Sequence, residues 1–257
     1  ARFCFVVFED LEQDEAGDTL THTFTWHGWE TCQVRWFYFW ATSEGEKMKS
    51  TSPIFSKHFV APQIFTALCD TQDGKCGCPA VRMYLTAHDA DGTWHEDEGP
   101  SLSVLQQNAG NYWWTFARGA LVFDTIELPP SWKITKAIIH FNVSGIYDPG
   151  GGPLDFVDAS GLNLPLENSS FEELRGKTSI LCSIARDDID PLGWYELEIN
   201  PSKLSVIKPG QLTIIGVREH HDVIVTDGGQ PAATVWGFSL LTCEHADRKP
   251  YLTIYGE

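Results

Sequence analysis

His220, His221 and Asp222 place two imidazoles and a carboxylate in a row, a set of ligand types that suits divalent metals. The surrounding TIIGVREHHDV reads as a strand, and adjacent strand residues point to opposite faces. The two rings are therefore not expected to reach one ion. Hard oxygen donors gather instead in AHDADGTWHEDEGP, where Asp89, Asp91 and Asp97 around Gly92 and Trp94 are candidate ligands for Ca²⁺. The D-x-D-G spacing lacks the other positions of an EF-hand loop, and a solvated turn is the competing reading. No further cofactor is implied. Because G-x-S-x-G, H-E-x-x-H and P-loop patterns are all missing from the sequence, no catalytic residue is assigned and the chain reads as a non-enzyme.

Seven cysteines leave at least one without a partner inside the chain. Cys69, Cys76 and Cys78 sit in CDTQDGKCGCP and are candidates for a small disulfide loop in an oxidising compartment. Plain thiols are the other reading, because C-x6-C-x-C matches no standard zinc spacing. Trp94, Tyr112, Trp113 and Trp114, with Asn108 and Asn111 beside them, are candidates for stacking on the apolar face of a sugar. The bland alternative is that these rings pack over a sandwich edge. Asn142 and Asn168 begin N-glycosylation sequons, meaningful only in an exported, glycosylated protein.

The formal charge of −17 excludes the usual electrostatics of a nucleic-acid partner. It disfavours anionic membrane surfaces as well. No run of about eighteen apolar residues occurs, so membrane insertion by a helix is not expected. The chain opens at Ala1 without a basic, apolar leader, which reads as a mature form trimmed by loss of Met or of a signal peptide.

These residues must be carried by strands. The segment RFCFVVF, with Phe3, Phe5 and Val7, reads as a strand buried on both faces, followed by an acidic linker that closes residues 1–16. It is either the first strand of the chain's own sheet or a donor strand inserted into a neighbouring subunit. Residues 17–257 read as a β-sandwich or jelly roll, the aromatic stretch at 19–40 forming a second β-rich region. Strands are expected at 81–87, 118–125, 133–143, 194–199, 212–218, 234–241 and 251–255, and a short helix at 169–175. Ala137, Ile139, Phe141 and Val143 should share one face, and Lys136, Ile138, His140 and Asn142 the other.

The pattern R-G-x-L-x-F-D-T…L-P…I-T-x-A-x-I-x-F runs from Arg118 to Phe141, and GWYELEIN, TIIGVREHHDV and KPYLTIY follow it. In these motifs the chain resembles the β-jelly-roll modules grouped with DNRLRE-type carbohydrate-binding domains, over about residues 115–257. The resemblance implies an all-β jelly roll acting as a structural or adhesive unit of a virion, an extracellular fibre or a cell surface. Its partners would be copies of itself, other particle subunits or a polysaccharide. A secreted polysaccharide-active enzyme and a free carbohydrate-binding module are the alternatives. Asp124 and Arg118 are expected at opposite ends of one strand, their charges taken up in buried or rim ion pairs with Arg218 and Asp222 respectively, a structural use of charge.

Overall fold

Side chains that alternate between apolar and polar have to form strands with one face covered, and a strand apolar throughout must be covered on both. The computed structural model describes residues 37–41, 47–51, 63–97, 99–108, 113–147, 152–224 and 235–256. Phe3, Phe5, Val7 and Tyr112 lie outside the described residues, so the donor-strand reading falls outside them too.

The chain divides into units of residues 1–62 and 63–257. In the first, β1 (Phe37–Ala41) pairs antiparallel with β2 (Lys47–Thr51), setting Phe37 opposite Thr51 and Ala41 opposite Lys47.

The second unit begins with β3 (Gln63–Leu68), β4 (Gly74–Gly77), β5 (Val81–Arg82), α1 (Tyr84–His88), β6 (Trp94–Glu96) and β7 (Ser101–Asn108). It continues with β8 (Trp113–Asp124), β9 (Ile134–Tyr147), β10 (Leu154–Asp158), α2 (Ser170–Arg175) and β11 (Ile180–Ile184). The last elements are β12 (Gly193–Glu198), β13 (Leu212–Glu219), α3 (His220–Val223), β14 (Val235–Leu241) and β15 (Tyr251–Gly256). The order across the sheet is β11-β10-β13-β8-β7-β14-β9-β15-β3. β12 pairs with β9, β4 and β5 pair with β8, and β6 pairs with β4. All these pairings are antiparallel, and the sheet curls on itself as an all-β sandwich of the jelly-roll class.

β9 makes the curl. One of its edges binds β15 along residues 134–140 and β14 along residues 143–147, while the other edge binds β12 along residues 138–143. One strand thus passes from one layer to the other. Its inner side chains Ala137, Ile139, Phe141 and Val143 are all buried, as the alternation predicts. They meet Phe156, Leu121, Phe123, Val217, Phe238 and Leu252 in the main core. Phe141 packs tilted against Phe156 at 4.8 Å. Fully burying one such ring contributes roughly 1.5–3 kcal/mol.

β8 is covered on both faces, as its continuous run RGALVF requires. Leu121 and Phe123 enter the main core. Trp114, Phe116, Ala120 and Val122 build a second core with Cys76, Cys78, Tyr84, Ala87, Phe171 and Leu174. Residues 81–87 therefore differ from the single strand expected of them. Met83 adopts φ 79° between β5 and α1, and the chain turns so that Tyr84 and Ala87 roof β8.

Gly237 of β14 tests the packing directly. Its φ is +151°, and a Cβ there would lie 2.1 Å from the Val104 carbonyl oxygen and 2.7 Å from Leu105 Cα, both backbone atoms of β7. Gly237→Ala is expected to destabilise the fold by about 1–3 kcal/mol, read as a lower urea midpoint. An unchanged midpoint would contradict the register of β14 on β7.

Candidate functional site

β13 ends because Glu219 caps the turn that follows it. Its carboxylate accepts from His221 N at 2.8 Å, which starts the single helical turn α3. The strand expected to run through His220 and His221 is therefore interrupted. The two imidazoles no longer alternate across a sheet, and their centroids lie 6.2 Å apart.

The same turn delivers Asp222 into the protein between two buried arginines. Arg118 Nε and Nη2 donate to the Asp222 carboxylate at 2.9 and 2.7 Å, and Arg218 Nε donates to it at 2.6 Å. Most of the remaining guanidinium hydrogens are also used. Arg118 donates to the Phe171 and His88 carbonyls at 3.0 and 3.1 Å and lies over the Phe171 ring at 3.9 Å. Arg218 donates to the Leu174, Arg175 and Lys177 carbonyls, closing the C-terminal end of α2, and to the Asp222 carbonyl. Burial would raise the Asp222 carboxyl, but the Arg118 and Arg218 guanidiniums hold it well below the usual carboxylate range. The expected pairing of Arg118 with the second half of the chain is thus observed. Asp124 has a separate, local role, accepting from Ile126 N at 3.0 Å in the turn after β8.

Around this triad runs a polar chain. Tyr84 Oη donates to Gln106 at 2.7 Å, Gln106 donates to Glu219, and Glu219 accepts from His221 Nδ1 and Gly152 N, both at 2.8 Å. The Glu219 carboxylate raises the His221 pKa against its partial burial. His221 also lies against Trp236, with centroids 4.7 Å apart. His220 Nδ1 donates to buried Asp155 at 2.7 Å, and Asp155 accepts from Ser183 Oγ at 2.6 Å. Each imidazole is thus held through Nδ1 by its own carboxylate, an arrangement that orients a ring for proton exchange or ligation through Nε2.

The loop carboxylates are placed differently from the expectation. Asp89 accepts from His88 Nδ1 at 2.7 Å, Asp91 is exposed, and Asp97 lines a shallow cleft with His95 and Asn168. Among the described residues no three His, Cys, Asp or Glu side chains are placed to hold a metal ion. Asp89, Asp91 and Asp97 therefore do not converge as a Ca²⁺ site. Cys69, Cys76 and Cys78 are free thiols, and the small disulfide loop is not formed. The sheet separates them, with Cys69 in the main core and Cys76 and Cys78 in the second. Of the sequons, Asn168 is exposed, whereas Asn142 is 1 % exposed and has no room for a glycan.

Trp114 is likewise unavailable to a sugar. It is 2 % exposed and packed edge-on against Tyr84 at 5.2 Å. Trp113 begins β8, but its side chain lies outside the described residues, as does Tyr112. Trp94 is partly exposed and lies on the backbone of Gly77, where a Cβ would meet its ring at 2.2 Å.

A different aromatic set faces outward, on the side of β12, β9, β15 and β3 away from the main core. Register sets Glu196, His140, Tyr251 and Leu68 in one row across these four strands. His140 and Tyr251 stack at 4.2 Å with their planes 8° apart, and Trp194, 47 % exposed, lies 5.9 Å from Tyr251. Thr253, Lys136 with Glu198, and Tyr255 continue the surface, and Ile64 and Leu68 extend it onto the edge strand. The sequence signal for this face was the alternation W-Y-E-L-E in β12 and Y-L-T-I-Y in β15, whose odd members all point one way. No protein-family model matches the chain, and no curated protein is similar to it.

Three outcomes follow from the charge geometry. Asp222→Asn leaves two buried guanidiniums without their anion and is expected to cost about 3–5 kcal/mol in urea unfolding. A loss within experimental error would show that the triad does not hold the second core. For pH, a depressed carboxyl contributes stability that is present above its ordinary pKa of 3.8 and lost only as pH falls through its folded value. Near-ultraviolet circular dichroism should therefore show the fold persisting below pH 3.8. His221 has the opposite sign. Its contribution is complete below 6.5 and is lost as pH rises through its higher folded value. His221→Gln should flatten stability over that alkaline-going window.

Proposed function

We propose that this chain is a non-enzymatic structural and adhesive surface protein, a subunit of a virion or extracellular fibre, that contacts polysaccharide through the outer face of β12, β9, β15 and β3. The observation that carries the reading is the outward-facing set of exposed Trp194 with half-buried Tyr251 and His140 on a sheet face, with Glu196 and Thr253 beside it. A pyranose ring offers an apolar C–H face that packs on aromatic carbon, and its hydroxyls need hydrogen-bonding neighbours at the rim. Rings carried by paired strands lose little freedom when they are covered, which favours binding to an extended chain. The net charge of −17 favours a neutral or cationic glycan over a polyanion. Copies of the chain or other particle subunits are the remaining partners in this reading.

A second reading, a secreted polysaccharide-active enzyme, is favoured by one observation, the carboxylate-held imidazoles of His220 and His221. Affinity electrophoresis through gels cast with neutral polysaccharides, joined to electron microscopy of the purified chain, separates the two. The expected result is retardation by at least one polysaccharide and assembly into particles or fibres. Trp194→Ala should weaken binding about tenfold, equivalent to ~1.4 kcal/mol, with the fold unchanged. Monodisperse monomers that shorten the polysaccharide, and lose this activity in His220→Ala, would overturn the adhesive reading.

A further inference from the structure

Cys69 and Cys243 come together from opposite ends of the second unit. Cys69 follows β3, bridges to Phe123 of β8, and donates its backbone N–H to the Pro250 carbonyl at 3.3 Å. Cys243 follows β14 by two residues, and its Sγ donates to the Cys69 carbonyl at 2.8 Å. Both side chains are buried in the main core, and the two thiols hydrogen-bond to each other. Asp73 fixes the corner, accepting from Cys243 N at 2.9 Å. Of the other described cysteines, Cys76 and Cys78 belong to the second core, and half-buried Cys182 packs against the main core from β11.

We propose that Cys69 and Cys243 are a disulfide-forming pair, a covalent clamp that locks the edge strand β3 to the β14–β15 corner when the protein meets a low-molecular-weight disulfide. The two positions are 174 residues apart in sequence, so the bond would close most of the second unit into one loop and restrict its unfolded chain strongly.

The electrostatics assign the order of events. The hydrogen bond from Cys69 lowers the Cys243 pKa, and the same contact, with burial, pushes the Cys69 thiol up. Cys243 is thus the more readily ionised of the two and, once its proton is lost on opening of the corner, the first nucleophile. Its sulfur attacks one sulfur of the external disulfide RSSR, forming Cys243–S–SR and expelling RS⁻, which takes up a proton. Cys69 then gives up its proton and attacks Cys243 Sγ, expelling the second RS⁻. Two cysteine thiols are oxidised, and RSSR is reduced to two RSH. Because both sulfurs are buried, exchange requires local opening of the corner, and among the described residues β3 is an edge strand whose one strand pairing is with β15.

The test uses the whole chain, reduced, cleared of reductant and incubated with oxidised glutathione under native conditions. After free thiols are alkylated, non-reducing peptide mapping by mass spectrometry should recover a Cys69–Cys243 cross-linked peptide two hydrogens lighter than its reduced parts. The thermal midpoint should rise by roughly 5–15 °C, and this rise should vanish in Cys243→Ser. Three results would overturn the proposal. These are full alkylation of both residues after prolonged oxidation, recovery of either residue joined to another cysteine, and stoichiometric zinc lost in Cys243→Ser. The mapping uses the unaltered sequence, so it decides the matter even if the serine variant folds poorly.

Discussion

The second core depends on one carboxylate held between two guanidiniums. Asp222 binds Arg118 of β8 and Arg218 of β13, and the same guanidiniums reach the backbone carbonyls of α1 and α2. Five elements therefore share one ionic centre. Three buried charges are tolerated only when each is paired and each remaining donor is used. That demand fixes where the connections between strands can lie, because α1 and α2 must present carbonyls to the arginines. A planar fork with five donors can serve a carboxylate and several carbonyls at once, which a lysine ammonium could not.

Two strands do the rest of the organising. β8 is the wall between the cores, apolar or neutralised on both faces, and β9 is the strap that passes from one layer to the other. β9 has to be long, since its inner face lines the main core along Ala137 to Val143 while its outer face is half-buried at Lys136, Ile138 and His140 and buried at Asn142. β8 has to be apolar throughout, and Arg118 is its one charged exception inside the second core.

The histidines show how a local cap alters chemistry. With the strand continued through residue 221, one ring would point into each face. Glu219 ends the strand by binding His221 N, and the rings then acquire separate carboxylates, Asp155 and Glu219. The aromatic face on the opposite layer needs no such device. Its rings stand outward because register aligns the polar-side positions of β12, β9 and β15.

Much of the architecture was legible in the sequence because a period of two is a local property. The buried face of β9, the limits of β12, β14 and β15, the start of β13, and the structural use of Arg118 all follow from neighbouring residues and from the rule that buried charge needs a partner. The expectations that differ from the structure concern positions whose neighbours are distant in sequence. Trp114 and Cys76 look like loop residues until α1 and α2 cover them. Cys69 looks like a partner for Cys76 until the sheet separates them and brings up Cys243. Asn142 fits a glycosylation sequon and is nevertheless buried. The sequence by itself determined which residues alternate, and hence the strands. Only the tertiary structure decided which faces are covered, because burial depends on strands and helices that meet across long stretches of chain.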